Sequence, residues 1–128
     1  MIIADTHAWL WALVAPSRLS ARARTALEGD AVGVSAMSCW EIGMLEAAGR
    51  LSLDASLDDW VRRSRLSSGV ELLDVDAGVA VRAGALYGTG FRGDPADMLI
   101  AATALEYGAP LVSRDRGMAA VPGLEVIW

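Results

Sequence analysis

Apolar residues along this chain fall into short unbroken runs that alternate with longer stretches of helical periodicity. Met1–Ala4, Ala31–Val34, Val70–Val75, Leu111–Ser113 and Leu124–Trp128 read as strands, and their continuous apolar character suits strands buried on both faces. Between them, Thr6 to about Val14 reads as a helix stopped by Pro16, and Ser20–Glu28 as a second helix closed by Gly29. Ser35 or Ser38 opens a helix to about Ala48 with Gly49 as its stop, and Ser38-x-x-Glu41 fits a capping box. Ser56 opens an amphipathic helix ending near Ser68-Gly69, and Asp76 caps one to about Leu86. Gly88–Gly93 reads as a loop. Asp94-Pro95 then starts a helix, with Asp at the cap, Pro at the first position and Gly108 beyond the end.

Strands alternating with helices predict an α/β fold, a three-layer α/β/α sandwich around a mainly parallel sheet. The length of 128 residues predicts one domain over residues 1–128. In such a sheet, ligands bind beyond the carboxyl ends of the strands.

Four carboxylates are expected along that edge. Asp5 ends the first strand, Glu41 lies early in the helix after the second, Asp97 lies in the first turn of a later helix, and Asp115 follows the strand Leu111–Ser113. Acids gathered in a low-dielectric cleft repel one another, and a divalent cation removes the conflict. Hard oxygen donors suit Mg²⁺ or Mn²⁺, and such an ion can activate water and stabilise charge on a phosphoryl oxygen. The cluster therefore points to a metal-assisted nuclease. Each acid also has a plain structural use. Asp5 can be a solvated strand end and Glu41 can serve Ser38 as a capping partner. Asp94 is a good N-cap with Asp97 as its partner, and Asp115 can be a turn residue.

Composition changes this picture little. The net charge of −5 argues against a broad basic nucleic-acid surface, although all 11 basic residues are Arg, the side chain suited to bidentate phosphate contacts. Hydrophobic residues make up 54% of the chain, which means a dense core or an apolar face that a partner covers. The single Cys39 excludes an intrachain disulfide and a Cys-based zinc cage and reads as an inert thiol. Ala8–Pro16 is too short to span a bilayer and lacks a cationic leader, so a cytoplasmic protein without a membrane partner is expected. The absence of Lys argues against a phosphoryl-receiver domain. His7, at the second position of an expected Asp-x-Asp, argues against a haloacid-dehalogenase-type phosphatase. The lone histidine also makes a Ser–His–Asp triad improbable.

Beyond these readings the chain resembles the PIN-domain family, and within it the VapC-type toxins. Ile2-Ile3-Ala4-Asp5-Thr6-His7-Ala8-Trp9-Leu10-Trp11 is similar to the family's opening motif. Val34–Ile42, Arg92–Ala102, Leu111–Asp115 and Gly123–Trp128 are similar to four further blocks, in the family's order and spacing. The resemblance implies Mg²⁺ or Mn²⁺ held by Asp5, Glu41, Asp97 and Asp115. It implies endoribonuclease activity on cellular RNA, a homodimer, and silencing by a cognate VapB-like antitoxin. Leu45, Arg92 and Met98 depart from the family's frequent Lys, His and Arg. The alternative is a catalytically inactive PIN-like binding module, which would bind no divalent ion at the acids.

Around the four acids, Asp94, Thr6, His7 and Ser113 are candidate supporting residues, and Arg92, Arg114 and Arg116 are candidate RNA contacts. The run Arg62-Arg63-Ser64-Arg65 reads as a solvated helix face. Trp9, Trp11 or Trp40 is expected in an antitoxin-binding groove or a dimer face.

Overall fold

The computed structural model describes residues 1–128. Five strands, β1 (Ile2–Ala4), β2 (Val32–Ser35), β3 (Glu71–Leu73), β4 (Leu111–Val112) and β5 (Val126–Ile127), form one sheet in the order β3-β2-β1-β4-β5. Every pairing is parallel. The helices are α1 (Thr6–Val14), α2 (Ala21–Gly29), α3 (Ala36–Ala47), α4 (Leu57–Ser68), α5 (Ala77–Tyr87) and α6 (Pro95–Glu106). Two 3₁₀ turns, Pro16–Arg18 and Arg116–Ala120, had no separate sequence signal.

The period-2 pleat sorts the strand residues between two cores. Ile3 and Leu111 point into the layer built with α5 and α6, where Val79, Leu86 and Ile100 are buried. Ile2, Ala4, Val34 and Val112 point to the opposite layer, where Trp9 of α1, Ile42 of α3 and Trp60 of α4 are buried. Both faces are covered, and this is why the strands are apolar throughout.

Helix starts follow local chemistry. Asp5, Ser20, Ser35, Ser56, Asp76 and Asp94 each cap a helix through the side chain. The Asp94–Asp97 capping box is present as expected. The Ser38–Glu41 box is not. Ser35 is the cap of α3, accepting from the Met37 amide at 3.3 Å, and Ser38 lies within the helix, buried against α1. Strand ends are shorter than the apolar runs suggest: Val70–Val75 pairs only at Glu71–Leu73, and Leu124–Trp128 only at Val126–Ile127.

The chain winds outward from β1 through β2 to β3, then crosses back to place β4 on the other side of β1. The edge where β1 meets β4 is therefore the switch point at which a parallel sheet opens a crevice.

Candidate active site

Asp5 stands immediately beyond β1, its amide bonded to Val112 O at 3.0 Å, so it is level with the end of β4. It is 8% exposed. One of its carboxylate oxygens caps α1 by accepting the Ala8 amide at 2.6 Å. Asp115 follows β4 and caps the Arg116–Ala120 turn, accepting the Gly117 amide at 2.7 Å. Asp97 sits in the first turn of α6, its carboxylate accepting the Asp94 amide at 3.3 Å. A buried hydroxyl bond 3.2 Å long, between Ser35 at the end of β2 and Thr103 of α6, ties that helix to the sheet edge. Glu41 reaches the cluster from the second turn of α3, where the Thr6 hydroxyl holds it. A carboxylate can only accept, so Thr6 donates to Glu41, and the Ser38 hydroxyl 2.9 Å away completes the chain.

These acids share one open cavity of about 520 Å³ in which Asp5, Glu41, Asp94, Asp97 and Asp115 face His7, Arg50 and Arg114. Asp94, Asp97 and Asp115 also form one wall of a second cavity of about 360 Å³, which holds Arg92. The capping readings of Asp94, Asp97 and Asp115 and the site readings are therefore compatible. In Asp97 and Asp115 one oxygen serves the backbone and the second is left for a ligand.

The electrostatics are those of crowded anions. Burial pushes the Asp97 carboxyl up to about 6, with Asp94, Asp115 and Glu41 adding repulsion. Burial also raises Glu41, against the pull of the Thr6 hydroxyl. It raises Asp5 against the Ser113 hydroxyl and the Ala8 amide. Three acids disfavoured as anions at one place fit a cation. The donors are hard oxygens, with Cys39 and the lone His7 contributing no soft cage. No three acidic, His or Cys side chains close on one point. An ion of the Mg²⁺ kind needs only one or two carboxylates directly and keeps several waters.

The other candidate residues differ in position. Thr6 and Ser113 are buried beside Asp5. His7 is exposed, its ring 5.5 Å from that of Trp11 and tilted by 51°. Arg114 lines the first cavity and lies 6.0 Å from the Trp11 ring centre. Arg92 is tied to Tyr87 O and Phe91 O, both at 3.1 Å. Arg116 lines neither cavity. Arg62 and Arg63 pair on the surface with Asp59 and Asp54, in keeping with a solvated face, whereas Ser64 of the same run is buried on the inner side of α4, its hydroxyl donating to Val61 O. Trp9 is buried edge-on against Trp60, ring centres 5.0 Å apart, so it is not a contact residue. Trp40 is 52% exposed.

Sequence reasoning missed Arg50 and Ile100; Leu45, singled out as a departure from the family pattern, and Trp11, expected in a groove or dimer face, also line the cavity. A signal for Arg50 existed in Gly49: a left-handed glycine after a helix brings the following residue back beside the helix's last turn.

The chain is thus a parallel α/β/α sandwich with an acid-lined crevice at its switch point, a gathering of hard oxygen donors of the type that suits a divalent cation. The chain belongs to the PIN-domain family, whose family model matches residues 2–124. It is 37% identical over 116 residues to Ribonuclease VapC22 of Mycobacterium tuberculosis, covering 90% of this chain and 87% of that protein. Its fold is similar to that of VapBC2 from Rickettsia felis, solved bound to a promoter DNA fragment, with a TM-score of 0.70, 19% identity and coverage of 98% and 97%. It is also similar to FitAcB from Neisseria gonorrhoeae, with a TM-score of 0.68, 23% identity and coverage of 98% and 96%.

Proposed function

We propose that this chain, acting as one domain over residues 1–128, is a divalent-metal-dependent endoribonuclease of the toxin type, neutralised by a VapB-like antitoxin. The observation that carries the reading is the convergence of Asp5, Glu41, Asp97 and Asp115 on one cavity in which three of them are raised by burial. The name of the VapC22 relative supports the substrate class. The VapBC complexes among similar folds support the partner.

The chemistry is hydrolysis of a phosphodiester: water attacks phosphorus and the bond to the leaving ribose oxygen breaks. Asp5, Glu41, Asp97 and Asp115 would hold Mg²⁺ or Mn²⁺, one or two of them directly and the others through its waters, and the ion would supply water activation and charge stabilisation at the phosphoryl group. Thr6 fixes the Glu41 carboxylate, and Ser113 steadies Asp5. Asp94 sets the Asp97 rotamer through the capping box. His7, exposed at the cavity mouth, orients the substrate or its waters. Arg114 and Arg92 contact phosphates from the two adjoining cavities.

The protein acts in the cytoplasm, and no helix is long and apolar enough to cross a membrane. Trp40 and Met44, one turn apart on α3 and both half exposed, form the apolar strip on which a homodimer would close. The groove of about 450 Å³ between α1 and α4, lined by Leu10, Leu13, Leu53 and Trp60, offers an antitoxin helix its apolar seat.

The test is to incubate the antitoxin-free protein with total cellular RNA and Mg²⁺, beside Asp97→Asn and an EDTA control, and to map new RNA ends. Ends that need both metal and Asp97 support the nuclease. A folded protein that binds neither Mg²⁺ nor Mn²⁺ is the inactive binding module instead.

A further inference from the structure

Helix α3 ends in a Schellman cap. Gly49 is left-handed at φ 69°, the Gly49 amide bonds Glu46 O at 3.0 Å, and the Arg50 amide bonds Leu45 O at 2.9 Å. This double bond pattern folds the chain back so that Arg50 lies beside Leu45. Leu45 and Arg50 then both line the acidic cavity. The apolar stem of Arg50 can lie along Leu45 while its guanidinium stays in the cavity.

Five carboxylates line that cavity against two guanidiniums, Arg50 and Arg114. Arg114 is engaged with the Trp11 ring. None of the ion pairs of the protein involves Arg50, and no aromatic ring lies under it. An RNA strand approaching this site meets a protein of net charge −5 and an excess of carboxylates that one divalent ion does not fully neutralise. Long-range attraction is therefore weak, and affinity depends on cations placed at the cavity itself.

Resting on the ribonuclease reading above, we infer that Arg50 is a substrate-holding residue that pairs with a backbone phosphate of single-stranded RNA flanking the scissile bond. Arg50 enters from the α3 wall, whereas Arg114 enters from the end of β4. The strand is thereby gripped from both sides of the carboxylates, with Arg92 beyond their shared wall in the second cavity. The planar fork of Arg suits a phosphate held by two parallel hydrogen bonds.

The test measures binding of a fluorescent, mixed-sequence oligoribonucleotide in Mg²⁺ by anisotropy, in an Asp97→Asn background so that the strand stays intact. Affinity is followed against KCl. Arg50→Ala should weaken binding roughly tenfold at low salt and reduce the slope of log affinity against log salt by about 0.7, the loss of one phosphate contact on a single strand. Arg50→Lys should keep the slope. Leu45→Lys added to Arg50→Ala should restore it, because position 45 shares the same wall. Arg65→Ala, remote on α4, controls for general charge. In the protein with Asp97 intact, Arg50→Ala should raise KM with little change in kcat.

An unchanged slope with Arg50→Ala, or the same loss with Arg65→Ala, overturns the inference and leaves the nuclease reading standing. The inference also falls, and the nuclease reading survives, if Arg50→Ala spares RNA and weakens only the antitoxin complex. Failure of the parent protein to bind or cleave RNA at all removes both.

Discussion

The hydroxyl of Thr6 donates a hydrogen bond to the carboxylate of Glu41, joining two residues 35 positions apart. One opens the helix after β1 and the other lies in the second turn of the helix after β2. The bond locks the outlying acid of the cluster to the strand end that carries Asp5.

Thr6→Val keeps the shape and removes the donor. Glu41 is then held by burial alone, its carboxyl rises further, and Ser38 loses its partner. We expect a stability loss of about 1–3 kcal/mol and a fall in cleavage rate on the order of tenfold or more. Thr6→Ser, which keeps the hydroxyl, should retain most of both. Chemical denaturation and initial rates on either side of neutral pH check this, and equal rates for the Val and Ser variants would remove Thr6 from the site.

Asp97→Asn should abolish cleavage yet stabilise the metal-free protein. The Asn oxygen still accepts the Asp94 amide, while a charge disfavoured by burial and three neighbouring carboxylates disappears. Asp97 is half-buried, so solvent screening leaves about 1 kcal/mol. That corresponds to a few degrees in Tm. A thermal melt at neutral pH in buffer containing EDTA reads it directly, and a lower Tm than wild type contradicts the crowding of charge at this position.

The same crowding makes stability depend on pH. The folded value for Asp97 is about 6 against an ordinary 3.8, so the folded state keeps the proton longer than the unfolded chain. The stability this contributes is complete below about pH 4 and is lost as pH rises through about 6. Asp5 and Glu41 are shifted in the same direction. Without divalent ions Tm should therefore decline across that window, and Asp97→Asn should flatten the decline. Added Mg²⁺ should raise Tm most above about pH 6, where protons no longer compete. A metal effect equally large at about pH 4.5 contradicts binding at these acids.

Gly93 has no room for a side chain. A Cβ there would lie 2.5 Å from Phe91 Cζ and 2.9 Å from Asp97 Cβ. Gly93→Ala should cost about 1–3 kcal/mol by overpacking and reduce cleavage on the order of a hundredfold, because a displacement near ~1 Å at a reacting group has that effect. Activity close to wild type would mean that Phe91 alone gives way.

Much of this molecule was legible in its sequence because the signals are local. Caps such as Asp76 and Asp94 act on amides three residues away, and apolar runs mark strands buried on both faces. Asp5 and Asp115 could be placed at strand ends for the same reason. Where local signals competed, the sequence left the choice open: Ser35 and Ser38 are both good caps, and the outcome turned on which hydroxyl α1 buries. Trp9 and Trp40 are alike as residues, yet one packs against Trp60 and the other faces solvent. The raised carboxyl of Asp97 and the entry of Arg50 into the acidic cavity likewise depend on groups far apart in the chain. The chain by itself determined its main elements, most of their caps and the inventory of acids, all set by contacts within a few residues. Only the tertiary structure decided which acids meet, which ring is covered and which arginine faces them, because burial and electrostatic coupling depend on distance in space and follow from the order of strands in the sheet.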